Sequence, residues 1–110
     1  MVFDKDEILK RFDGDKEFLA ELVGIFINDI PKQLSEIKEA IDNLNSKDLE
    51  KSAHKLKGAI ANFEEEAAFE AALKLEMMGR ESRLDGVKDA YDILVKEAEC
   101  LVNALKEFVE

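Results

Sequence analysis

The sequence has no tryptophan, one tyrosine, one proline, one cysteine and one histidine. Each shortage excludes something. A single tyrosine and little valine or threonine argue against an all-β fold, because pleated surfaces select aromatic and β-branched residues. One proline and five glycines in 110 residues leave few breakers, which favours long helices over frequent turns. The lone Cys100 allows no internal disulfide, and a reducing, cytoplasmic setting is the simplest reading. Near the end of a helical stretch, Cys100 reads as a small core hydrophobe rather than a redox group. No apolar run approaches the ~20 residues of a spanning helix. Residues 1–7 have neither the basic start nor the apolar stretch of a signal peptide. Positive charge is scarce as well: 16 Lys and Arg against 26 Asp and Glu give a net charge of -10. Such a chain repels nucleic acid and anionic membranes as a whole.

What is present is apolar material at helical spacing. Hydrophobic residues make up 46% of the chain, enough for one core, and the length suits one domain over residues 1–110. Asp4 with Glu7 resembles a capping box that starts a short helix carrying Ile8, Leu9 and Phe12. Asp13-Gly14-Asp15 breaks it. Asp15 then caps a helix with Phe18, Leu19, Leu22, Val23, Phe26, Ile27 and Ile30 on one stripe, continued after Pro31 by Leu34, Ile37, Ile41 and Leu44. This predicts one kinked helix or two collinear ones, broken just before Pro31. Ser46 is the expected N-cap of a helix over 47–63. There Leu49, Ala53, Leu56, Ile60 and Phe63 form a heptad-like seam. A turn near Glu64 leads to a helix over 66–80 with Ala68, Phe69, Ala72, Leu73, Leu75 and Met77. Asp85 is the expected cap of a last helix, with Val87, Tyr91, Leu94, Val95, Ala98, Leu101, Val102, Leu105 and Phe108 facing in. The expected fold is all-α: an up-down-up-down four-helix bundle preceded by one short helix.

Chemistry has to come from the one histidine. At about 100° per residue, His54 lies about 140° from the core direction of its helix and points to solvent. Gly58, one turn on, lies almost opposite the core, and a helix-interior glycine costs ~1 kcal/mol relative to alanine. Such a glycine normally marks close approach by something large. Lys57 lies toward the same side, and Ala61 keeps the surface low. Lys47, Lys51 and Lys55 add positive charge. An acidic chain thus carries one locally basic strip around an exposed imidazole. A neutral imidazole, with an unperturbed pKa of ~6.5, attacks a phosphoryl group without help from a strong base. Transfer through a loose in-line transition state needs charge stabilisation and open access more than covalent machinery.

Ala53-His54-Lys55-Leu56-Lys57-Gly58 resembles the signature of histidine-containing phosphotransfer (HPt) domains: His, any residue, Leu, Lys, Gly. The resemblance spans nearly the whole chain. Phe26 with Pro31 and Leu34 resembles the family's kinked helix, and 53–63 followed by 67–77 with Leu75-Glu76 resembles its central helical hairpin. It implies a phospho-acceptor at His54, phosphoryl stabilisation by Lys57, access at Gly58, and receiver docking over Lys47, Lys51, Lys55 and Ala61. It also implies exchange with receiver-domain aspartates of response regulators and of a hybrid sensor histidine kinase. No ATP binding or autokinase activity is expected. Nor is any cofactor, the Mg2+ ion belonging to the receiver. A cytoplasmic monomer without nucleic-acid or membrane partners is expected. One departure is Glu64, where many members have glycine.

Other readings are weaker. A carboxylate-bridged di-metal bundle needs two Glu-x-x-His units, which one histidine cannot supply, so no metal site is expected. A hydrolase or redox enzyme lacks a convergent acid, base and nucleophile at His54 or Cys100. A pure adaptor with a vestigial site is the runner-up, although an inert adaptor has no need for His54, Lys57 and Gly58 together.

Overall fold

The computed structural model describes residues 5–63 and 65–108. It contains five α-helices: α1 (Lys5–Arg11), α2 (Lys16–Asp42), α3 (Ser46–Ala61), α4 (Glu66–Arg80) and α5 (Val87–Leu105), followed by a 3-10 turn (Lys106–Phe108). No strand occurs among the described residues. Helices α2 to α5 form the up-down-up-down bundle. Each packs on the next, and α5 returns to α2. The short α1 adds Ile8 to the core.

Most of the stripe residues read from the sequence are buried, but Phe18 at the start of α2 and Leu44 just beyond its end are exposed. On α3, Leu49, Ala53, Leu56, Ile60 and, just beyond its end, Phe63 are all closed to solvent. On α5, Val87, Leu94, Ala98, Leu101 and Leu105 are buried, while Tyr91 donates its hydroxyl to the Leu34 carbonyl at 3.1 Å and ties α5 to α2. The Asp15 carboxylate accepts from the Phe18 amide at 3.0 Å, which makes Asp15 the cap of α2.

The structure decides one local alternative and corrects other expectations. Of the two readings at Pro31 it is the single long helix that is found, α2 running through the proline. The proline lies on the exposed face, where water can serve the carbonyl that loses its amide donor, while buried Ile30 and Ile37 hold the helix on either side. Asn45, not Ser46, caps α3: its side chain accepts from the Asp48 amide at 3.0 Å and donates to the Asp48 carboxylate at 2.8 Å. Helix α5 starts from Gly86 at φ 77, without a side-chain cap, so Asp85 does not cap it. Met77 lies at the surface, and Glu76 and Gly79 occupy the buried face of α4 instead. The cap expected at Asp4 and the turn at Glu64 involve residues outside the described ones.

Gly79 sets how closely α4 approaches the start of α3. A Cβ there would fall 2.6 Å from the Glu50 amide nitrogen and 2.7 Å from the Ser46 carbonyl oxygen. Backbone atoms cannot move aside as a flexible side chain can. Gly79→Ala is therefore expected to destabilise the bundle by about 1–3 kcal/mol, measured by chemical denaturation, despite the better helix propensity of alanine.

Candidate functional site

The site is built on the α3–α4 face. His54 is on the outer side of α3, its side chain 67% exposed. The seam that buries Ala53 and Leu56 on either side of it turns the imidazole outward. Its Nδ1 lies 2.8 Å from Oε2 of Glu76 on α4. Lys57, one turn along α3, places Nζ 2.6 Å from the other oxygen, Oε1. Arg80, one turn along α4, donates from a terminal nitrogen to Glu76 Oε2 at 3.2 Å and from Nε to Glu50 at 2.8 Å. Glu76 is thus a buried carboxylate, 2% exposed, held between His54, Lys57 and Arg80.

Burial alone would push the Glu76 carboxyl upward. The Lys57 and His54 contacts outweigh it and hold the group below the ordinary carboxylate range. Glu76 is therefore ionised at neutral pH, and an ionised carboxylate can only accept hydrogen bonds. The 2.8 Å contact then requires the proton on Nδ1 of His54. Nε2 is left with its lone pair in solvent, which is the atom a transferable group could reach. Lys57 is more covered than its place on the outer strip suggests, at 18% side-chain exposure. Besides Glu76, it sits 5.8 Å from the centroid of the Phe69 ring, close enough for a cation–π contact.

The other residues singled out in the sequence take simple positions. Gly58 is exposed, and a Cβ built there meets nothing within 4 Å. Lys47, Lys51 and Lys55 are exposed and Ala61 is half-buried. Lys51 shares a groove with Glu50, His54, Glu76 and Arg80, and a second with Glu36, Glu39 and Asp48. Acidic side chains of α2 therefore border the basic strip. Leu22 and the exposed Ile25 of α2 line a shallow groove with Ala59 of α3, which follows Gly58 in the chain, and with Asn62 just beyond the end of α3. No group of three or more His, Cys, Asp or Glu side chains able to hold a metal occurs among the described residues. No helix among them is long and apolar enough to cross a membrane.

A family model for the Hpt domain matches residues 21–109. The chain belongs to the Hpt domain family. This Hpt domain is also similar to the phosphorelay intermediate protein rdeA of Dictyostelium discoideum, at 26% identity over 106 residues. That match takes in 96% of this chain and spans 42% of the relative's length. No solved structure matches the chain.

The sequence reading missed Glu76 and Arg80 as members of the site. A signal for Glu76 exists: it falls on the stripe of Ala68, Ala72, Leu75 and Gly79, where an unpaired charge would be costly. Only the fold shows that two of its partners, His54 and Lys57, come from α3.

Two outcomes follow from this geometry. A carboxyl held low in the folded state stabilises the fold above its unfolded value and loses that contribution as pH falls through the folded one. The stability advantage of the parent over Glu76→Gln is therefore expected at neutral pH and should shrink as pH drops below the ordinary carboxyl value of about 4.3. Denaturation midpoints along a pH series measure this. At Gly58, open space predicts that Gly58→Ala raises stability by up to ~1 kcal/mol. A less stable Gly58→Ala variant would place a packing role there.

Proposed function

We propose that this domain is a phosphorelay intermediate. In this reading His54 accepts a phosphoryl group from the aspartate of one receiver domain and passes it to the aspartate of another. The observation that carries the reading is the exposed imidazole, with Nδ1 engaged by Glu76 and Nε2 open, beside a glycine with empty space above it. The similarity to a protein named a phosphorelay intermediate supports it.

The reaction runs at Nε2. Its lone pair forms the bond to phosphorus while the bond from phosphorus to the aspartyl oxygen breaks, the electron pair leaving on the carboxylate. Lys57 stabilises the phosphoryl oxygens as charge spreads over them. Gly58 lets the receiver approach without meeting a side chain. Response-regulator receivers and the receiver of a hybrid sensor histidine kinase are the partners, and the Mg2+ ion comes with the receiver. The domain is a carrier without autokinase activity or a cofactor of its own. Receivers dock over Lys47, Lys51, Lys55 and Ala61, and the adjoining groove at Ile25 and Ala59 adds apolar contact. Glu36 and Glu39 beside Lys51 temper the attraction to an acidic receiver site.

The test is incubation with a phosphorylated receiver. Label should move to this domain in a linkage labile in acid and stable in base, and His54→Gln should fold normally and take none. Label persisting on that variant would remove His54 from its role. Lys57→Ala should slow transfer at least several-fold; unchanged rates would reduce Lys57 to a structural partner of Glu76. In the series Gly58 to Ala, Val and Leu, transfer should fall as side-chain size rises, while stability follows helix propensity. Association should slow as salt rises, and slow further in Lys51→Glu with Lys55→Glu; faster association in salt would mean that overall repulsion dominates.

A further inference from the structure

The shallow groove between α2 and the end of α3 holds two groups that the transfer chemistry does not use. Its floor is the edge-to-face pair of Phe26 and Phe63, with ring centroids 5.1 Å apart. Leu22 and Ile25 form one wall, and Ala59 and Asn62 the other. Among these groups α2 places two hydrogen-bond acceptors one turn apart, Asp29 and Gln33. Asp29 is exposed and has no ion pair or hydrogen bond among the described residues. Oε1 of Gln33 is buried and accepts no hydrogen bond. No lysine or arginine lines the groove. A buried acceptor without a donor costs stability, and here two acceptors share one groove that offers neither of them a cation. The groove measures about 120 Å3. That is below the roughly 300–1,000 Å3 of small-molecule sites and suits a single side chain. We propose that it seats one basic side chain, a lysine or arginine of the docked receiver, and that Asp29 and Gln33 thereby select among receivers. The proposal rests on the phosphotransfer reading above and concerns which receivers the His54 site accepts.

A long basic side chain matches both parts of the groove. Its methylene stem covers apolar surface while its head keeps a polar partner. Here the stem lies along Leu22 and Ile25, and the head donates to Asp29. Gln33 then accepts from the same head, since lysine and arginine carry several donors. The terminal torsion of a glutamine is soft, so its oxygen turns into the groove without repacking α2. An acidic side chain from a receiver would meet Asp29 as a like charge. An apolar one would cover Asp29 and Gln33 without supplying a donor. Receivers of both kinds are thereby disfavoured.

The position fits docking at His54. Ala59 is five residues beyond His54 on α3, about 7.5 Å along the helix axis at a rise of about 1.5 Å per residue. A specific interface covers roughly 800 Å2 on each partner, so a receiver whose aspartate reaches Nε2 extends over the groove as well. The docking face then carries both signs. Lys47 and Lys51 precede His54 on α3, whereas Asp29 and Gln33 border the part of α3 that follows it. Opposite charges at the two ends of the face fix the orientation of the receiver as well as its identity.

The experiment uses a phosphorylated receiver domain that passes its label to the parent chain. Transfer is measured against receiver concentration for the parent, Asp29→Asn and Gln33→Leu. Both variants should need several-fold more receiver for half-maximal transfer, with the rate at saturation little changed. Unchanged half-saturation would overturn the proposal. So would a fall in the saturating rate alone, which would tie the two residues to the chemistry and not to selection. The surface lysines and arginines of the receiver are then changed singly to alanine. Against one of these receivers the effect of Asp29→Asn should disappear, as expected when the partner of Asp29 is already gone. If none of them absorbs the effect, the groove seats something other than a basic side chain and the proposal fails. A measurement without any receiver separates selection from structure. Removing a buried acceptor that has no donor stabilises the fold, so Gln33→Leu should raise the midpoint of chemical denaturation. A lowered midpoint would mean that the fold already satisfies Gln33, and would overturn the proposal. Failure of every receiver to label the parent would remove the phosphotransfer reading and this inference with it, whereas labelling with equal half-saturation removes only this inference.

Discussion

A carboxylate with almost no water around it has to be surrounded by cations and donors, and in this bundle that requirement organises the site. Glu76 sits on the inner stripe of α4, at a register where Ala68, Ala72 and Leu75 meet the core. Its charge there is sustained by Lys57 and His54 from α3 and by Arg80 from its own helix. Removing one partner of such a buried cluster costs far more than the net gain from assembling it, because the remaining charge is left without compensation. The same oxygens that need donors thereby hold the imidazole and choose which of its nitrogens carries the proton.

That arrangement depends on how closely α4 approaches α3. Gly79 allows backbone contact with Ser46 and Glu50 near the start of α3, and the Ala53 and Leu56 seam fills the space further along. Two glycines thus do opposite things. Gly79 is buried against a neighbouring backbone and draws the helices together, whereas Gly58 faces open space. Both interrupt a helix with a poor helix former, and only their surroundings tell them apart. The surface that carries His54 owes its orientation to the interior: the imidazole is outside, but the group that orients it is inside.

Much of this was legible in the residues. The α3 seam of Leu49, Ala53, Leu56, Ile60 and Phe63 is buried as its spacing indicates, because a repeated step of three and four leaves one face for the core. The outward direction of His54 follows from the same seam, and its motif pointed to the Hpt family that the family match identifies. Cap positions were less legible. Asn45 and Ser46 are both good caps, and a shift of one residue depends on which side chain can reach the Asp48 amide. Local chemistry at Pro31 left one long helix and two collinear ones both open, and packing on both sides carries α2 through as one. Glu76 escaped notice as a site residue because charge on a helix usually means solvent. Its partners on α3, His54 and Lys57, are about twenty residues away along the chain, a distance that periodicity does not cover.

The central claim is that the fold presents Nε2 of His54, with Nδ1 engaged by Glu76, as the acceptor of a phosphoryl group. Its most direct test is a phosphorus–nitrogen correlation spectrum of the nitrogen-15-labelled domain after phosphorylation. The account predicts a single phosphorus nucleus coupled to Nε2 of His54. Coupling to Nδ1, or phosphate carried on a carboxylate or hydroxyl elsewhere in the chain, would contradict it.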